Sequence, residues 1–286
     1  MNKNSAIGIF DSGIGGLTVG HQIAKLMPKE RIVYFGDTKH LPYGDKSPEA
    51  IIRFSKRITH FLLEQNCKMI VIACNTASAL AFEQVKKICA DKAIAINVID
   101  PVVEYTSKSK AKSVGIIGTK NTILSNVYTK KIQSINKTIT SHSIATPLLV
   151  PMIEEGFYQN KISQTILATY LEREELRTID HLILGCTHYP LIEEEIKQYY
   201  KGTVEVINSA RIVSKHVKNA LRNDHLFNNE SHTTAKHKFH LSDYTSSFEQ
   251  SAQHFFGEKI SLVETKIGRA HVRTPVTSQS RMPSSA

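Results

Sequence analysis

The sequence predicts an α/β protein with mostly parallel sheets, arranged as two similar units. Three observations carry this. The chain has 286 residues, enough for two domains of ordinary size. Short apolar runs alternate with longer amphipathic segments through most of its length, the pattern of strand–helix–strand units. One local arrangement, a buried strand followed by a small residue and a cysteine, occurs twice.

Along the chain, residues 6–10, 32–35, 69–73, 94–99, 114–118, 181–184 and 204–207 read as buried strands. Residues 48–65 read as an amphipathic helix with Ile51, Ile52, Ile58, Phe61 and Leu62 on one face. In parallel sheets ligands gather at the carboxyl ends of the strands, so the residues just after each strand carry the functional information. The first strand ends in Asp11-Ser12-Gly13-Ile14-Gly15-Gly16. The second ends in Gly36-Asp37-Thr38, followed by Leu41-Pro42-Tyr43-Gly44. The third ends in Cys74-Asn75-Thr76, the fifth in Gly118-Thr119 with Thr122 behind it, and the sixth in Gly185-Cys186-Thr187-His188. Cys74 and Cys186 lie 112 positions apart, about one domain, which marks a weak internal repeat. Residues 223–238, rich in His and Asn, read as a surface loop.

Composition removes several classes. With 41% hydrophobic and 22% charged residues the chain is globular, and no apolar run approaches the roughly 18 residues of a membrane span. The start shows no secretory signal, and four cysteines without a C-x-x-C pair fit a reducing cytoplasm. A formal charge of +10 would suit a nucleic-acid partner, but no groove-entering motif accompanies it. Residues 267–286 carry three arginines, no acid and no periodicity; they resemble a translated cloning adapter and are expected to lie outside the native fold.

A cysteine between a strand and a helix start favours thiolate chemistry. Acyl transfer needs one nucleophile, a base and an oxyanion hole rather than two equivalent thiols. Two matched thiols suit inversion of a stereocentre, where one group removes a proton from one face and another returns it on the opposite face. Cys67 and Cys89 lie on helical patterns and read as core residues. A metal site built from Cys74, Cys186 and His188 lacks a fourth ligand, so none is expected. No Schiff-base lysine stands within the strand-end motifs, which favours a mechanism without pyridoxal phosphate or another cofactor. The glycine-rich residues 11–16 match no nucleotide motif but let backbone N–H groups approach an anion. Ser12, Asn75, Thr76, Thr119, Thr122 and Thr187 add short donors at the same sheet edge. This set suits a small ligand with carboxylates and an amine, with Asp11 available for the ammonium.

The segments G-I-F-D-S-G-I-G-G-L-T, Y-F-G-D-T-x-x-L-P-Y-G, I-A-C-N-T-A-S-A and L-G-C-T-H-Y-P-L resemble those of the cofactor-independent glutamate racemase family, from about Ile7 to Ser261. The resemblance implies interconversion of L- and D-glutamate for peptidoglycan precursor supply. It implies Cys74 as the base toward D-glutamate and Cys186 toward L-glutamate. Asp11 near Cys74, and Glu154 with His188 near Cys186, match the family's auxiliary acid/base groups. Substrate contacts would come from Asp11, Ser12, Tyr43, Gly44, Asn75, Thr76, Thr187 and His188. The family fold has two flavodoxin-like domains with the active site in the cleft between them, here residues 1–97 with 209–266, and 98–208. A homodimer is compatible with the resemblance; a nucleic acid or membrane is not required. The chain departs from the family where many members have Asp-Ser-Ala and it has Asn208-Ser209-Ala210.

Overall fold

A computed structural model describes residues 1–229 and 236–268. Its opening part alternates β1 (Ala6–Asp11), α1 (Leu17–Leu26), β2 (Ile32–Gly36), α2 (Pro48–Glu64), β3 (Cys67–Ile72), α3 (Asn75–Cys89) and β4 (Ile94–Asn97). The middle holds α4 (Ile99–Ser107), β5 (Ser113–Gly118), α5 (Lys120–Leu124), α6 (Val127–Ile135), β6 (Thr140–Ala145), α7 (Leu149–Glu154) and α8 (Lys161–Leu171). It continues through β7 (His181–Gly185), α9 (Glu193–Tyr200) and β8 (Glu205–Ile207). The chain then returns through α10 (Ser209–Asn223), β9 (Lys238–Leu241), α11 (Ser246–Phe256) and β10 (Leu262–Glu264).

The strands form two sheets, both wholly parallel, in the orders β10-β9-β2-β1-β3-β4 and β6-β5-β7-β8. Central strands of such sheets are covered on both faces and read as continuous apolar runs. β1 and β3 are buried at every position. Ile9 sits beside Tyr34 on one side and Val71 on the other, so the strand ends are level and their loops meet at one edge. In the second sheet Gly118 of β5 is level with Gly185 of β7, bringing Thr119 beside Cys186. The helix of residues 48–64 begins where Ser47 accepts the Ala50 N–H at 3.3 Å, ahead of Pro48. Its Ile51, Ile58, Phe61 and Leu62 enter a core shared with Phe10, Phe35 and Ile70.

Several expectations are corrected. The fourth strand stops at Asn97, because the Asn97 side chain accepts the Ile99 and Asp100 N–H groups at 2.8 Å each and starts α4. Cys67 opens β3 rather than lying on a helix; Cys89 does end one, α3. Three strands, β6, β9 and β10, were not expected: each is a short or edge strand with polar residues in it. The segment from 223 is not simply a surface loop. Leu226 and Asn228 are buried, and the Leu226 carbonyl accepts from Lys68 Nζ at 2.8 Å. Lys68, fully buried, also pairs with Glu30 at 2.6 Å, whose other oxygen accepts the Asn228 N–H at 2.8 Å. Residues 230–235 lie outside the described part. So does most of the expected tail, residues 269–286; within it, Ile267 packs against the core around Phe35, Phe54 and Phe61.

Candidate active site

Where the two sheets' loop edges face each other there is a cavity of about 260 Å³. Ser12, Tyr43, Gly44, Cys74, Asn75 and Thr76 reach it from the first sheet. Thr119, Glu154, Cys186, Thr187 and His188 reach it from the second. Two of the expected contact residues sit behind this wall. Asp11 is fully buried at the end of β1, and Thr122 is buried under the threonines of the wall.

Cys74 caps α3, its sulfur accepting the Ala77 N–H at 3.4 Å and lying 3.7 Å from the Ser12 hydroxyl. Burial first, and the nearby Asp11 carboxylate second, push the Cys74 thiol up to about 12 despite the helix N–H. Asp11 is itself raised above the ordinary carboxylate range by burial, while His188 and the N–H groups of residues 12, 13 and 16 hold it down in part. Its Oδ2 accepts the Gly13 N–H at 3.0 Å, and its buried Oδ1 has no protein partner. Gly16 is required here, because a Cβ would lie 2.5 Å from the Asp11 Cβ.

Cys186 has different surroundings. It follows β7, and a short 3-10 turn at Tyr189–Ile192 precedes α9, so the expected direct helix start is absent. Its sulfur lies 3.8 Å from His188 Nδ1, and His188 Nε2 lies 2.8 Å from Glu154 Oε1. Burial opposes charge on the His188 ring, but the Cys186 sulfur and the Glu154 carboxylate outweigh it and raise the ring to about 10. The Cys186 sulfur and the Glu154 carboxylate thus favour the protonated form of this ring. The Phe255 ring meets the imidazole edge-on at 5.1 Å between centroids. No group of three or more metal-ligating side chains occurs among the described residues.

Polar side chains tie the two walls together. The hydroxyls of Thr76 and Thr119 are 2.8 Å apart, and Thr122 lies 3.2 Å from the first and 3.0 Å from the second. Asn121 donates to the carbonyls of Tyr43 and Lys46 at 3.0 and 2.7 Å, and Thr18 donates to the Thr187 carbonyl at 3.0 Å. Tyr43 donates to Asp37 at 2.7 Å, and Ser242, from the returning part of the chain, donates to the same carboxylate at 2.9 Å. Thr146, which no sequence motif marks, lines the cavity and shares a 2.6 Å hydrogen bond with Tyr189. It follows β6, the strand without an apolar signal. Asn121 and Tyr128 were missed because neither belongs to a strand-end motif.

Two free cysteines line this one cavity, Cys74 beside the Asp11 carboxylate and Cys186 beside the His188 ring. Residues 18–217 match the model of the family described as Asp/Glu/Hydantoin racemase. The chain belongs to the Asp/Glu/Hydantoin racemase family. It is an isomerase of the amino-acid racemase type. It is 39% identical over 256 residues to a glutamate racemase of Geobacter metallireducens, covering 89% of this chain and 94% of that protein. The crystal structure of glutamate racemase from Francisella tularensis in complex with D-glutamate superposes with a TM-score of 0.86 at 35% identity, covering 93% of this chain and 98% of that one. Glutamate racemase isoform RacE1 from Bacillus anthracis gives 0.87 at 34%, covering 93% and 99%. The two-sheet α/β architecture is thus shared with solved racemases of this family. Among the described residues, no helix is long and apolar enough to cross a membrane.

Proposed function

We propose that the chain interconverts L- and D-glutamate by two-base proton transfer between Cys74 and Cys186, supplying D-glutamate for peptidoglycan precursors. The observation that carries this reading is the arrangement of two free, buried cysteines on opposite walls of one cavity, each with a separate proton-handling partner. In the L-to-D direction Cys186 takes the α-proton, with His188 and Glu154 balancing charge. Cys74, held protonated at neutral pH by burial and by Asp11, returns a proton to the opposite face. The D-to-L direction exchanges these roles. Between turnovers one sulfur regains a proton and the other loses one; Asp11 with Ser12, and His188 with Glu154, are the groups placed for that exchange.

Ser12, Tyr43, Gly44, Asn75, Thr76, Thr119, Thr187 and His188 are the proposed substrate contacts, with Asp11 acting from behind the wall through Cys74 and Thr122 supporting the threonine pair. The start of α3 supplies N–H groups for a carboxylate. The reading takes residues 1–97 with 209–266, and 98–208, as the two domains. It places the protein in the cytoplasm, needs no nucleic acid or membrane, and is compatible with a homodimer. It is tested by chiral chromatography after incubating purified protein with each glutamate enantiomer, without added pyridoxal phosphate or metal. Both should converge on an equal mixture. Conversion of aspartate or a hydantoin instead would replace the substrate, and chelator inactivation restored by zinc would replace the metal-free chemistry.

A further inference from the structure

Tyr128 stands in the first turn of α6, buried, and is not part of the cavity wall. Its phenol donates to Asn75 Oδ1 at 2.6 Å. Asn75 is the first residue of α3, next to Cys74, and does line the cavity. An amide side chain has an acceptor end and a donor end of nearly equal shape, so the partner on one end decides what the other end presents. With the carbonyl end taken by the phenol, Asn75 offers N–H2 to the cavity, and among the described residues no protein acceptor meets that Nδ2. An N–H2 on the cavity wall with no protein acceptor is left to pair with a ligand oxygen.

We infer that Tyr128 is a positioning residue for the glutamate reaction proposed above: it holds the Asn75 amide so that N–H2 faces a substrate carboxylate. Reversed, the amide would turn its carbonyl oxygen toward that anion and repel it. The bond also joins α6, which packs beside the second sheet, to α3, which packs beside the first. The donor's position is therefore set by the meeting of the two walls. A carboxylate keeps its charge from ground state to transition state, so the contact is uniform binding and shows in KM rather than kcat.

The test measures racemisation of both enantiomers by the wild type, Tyr128→Phe, Asn75→Ala, the double variant and Asn75→Asp. Tyr128→Phe should raise KM about five-fold, the worth of one orienting hydrogen bond, with kcat within about two-fold. In the Asn75→Ala background the same change should add nothing, because Tyr128 acts through that amide. Asn75→Asp keeps an acceptor for the phenol but puts an oxygen where N–H2 stood, and should raise KM more than about ten-fold. An unchanged KM in Tyr128→Phe, or its full factor persisting without the Asn75 amide, overturns the inference. If Tyr128→Phe does not fold, Asn75→Asp decides alone, and wild-type KM there overturns it. A wild type that leaves glutamate unconverted overturns the underlying reading as well. That outcome is separate from an active wild type with an unaffected variant.

Discussion

Gly15→Ala isolates the contact that seats His188. A Cβ at Gly15 would lie 2.5 Å from His188 Cε1, from His188 Nδ1 and from Thr187 Oγ1. Unstrained carbon contacts sit at about 3.5–4.0 Å, so roughly 1 Å of room must be found. The imidazole has nowhere to retreat, with Glu154 at 2.8 Å on Nε2 and the Phe255 ring against its edge. The loop is equally fixed. Tyr34 donates to the Gly13 carbonyl at 2.7 Å, and Thr18 donates to the Gly15 and Thr187 carbonyls at 2.9 and 3.0 Å. Overpacking of this kind costs about 1–3 kcal/mol. A shift of about 1 Å in a group aligned with a reacting atom costs on the order of 100-fold in rate. Enantiomers have equal free energy, so kcat/KM must fall by the same factor in both directions. The assay is racemisation followed by circular dichroism from each enantiomer, beside a urea titration of the same preparation. Turnover within about three-fold of wild type, with an unchanged urea midpoint, would refute the reasoning.

The thiols separate by hand: Cys74→Ser and Cys186→Ser should each nearly abolish racemisation. With a β-chloro-substituted glutamate that eliminates after one abstraction, Cys74→Ser should process the L-form and Cys186→Ser the D-form; the same hand for both would end the opposed-thiol reading. Cys67→Ser and Cys89→Ser should keep turnover within about two-fold while losing about 1–3 kcal/mol in urea unfolding, because each buries an unpaired hydroxyl. His188 titrates near 10 with Glu154 as one cause, so an alkaline loss of kcat/KM governed by this ring should move to lower pH in Glu154→Gln; a limb that stays in place excludes that coupling. Lys68→Met should cost about 3–5 kcal/mol, measured by denaturant titration, because it leaves the Glu30 carboxylate buried without its cation.

The parts of this molecule legible in sequence are those where one physical demand acts alone. β1, β2 and β7 are buried on every residue and therefore spell themselves as apolar runs whose ends point to the site. Cys67 was misread because Lys68 interrupts the run after it, and only the fold shows that Glu30 and two carbonyls satisfy that charge inside the core. β6 is an edge strand of mixed burial, so nothing in Thr140–Ala145 announced it or the Thr146 that follows. The two cysteines looked equivalent along the chain. Their difference comes from residues distant in sequence: Asp11 behind one, and Glu154 with Phe255 around His188 behind the other. Motifs located the two cysteines, whereas their electrostatic inequality arises only from packing.

The pairing of β9 against β2 sets a clock on biosynthesis. β2 is apolar and buried throughout, yet the strand that covers its outer side lies about 200 residues further on. At about 5–20 residues per second, the nascent chain carries an open apolar strand edge for roughly 10–40 s, a template for pairing with another chain. The segment that closes this edge also brings Ser242 to Asp37, and so to the hydroxyl of Tyr43. The first sheet and one wall of the cavity are therefore completed in the same late step. A chain interrupted before β9 would lack the support for Tyr43 and present a sticky flank, which couples loss of activity to aggregation when translation stalls.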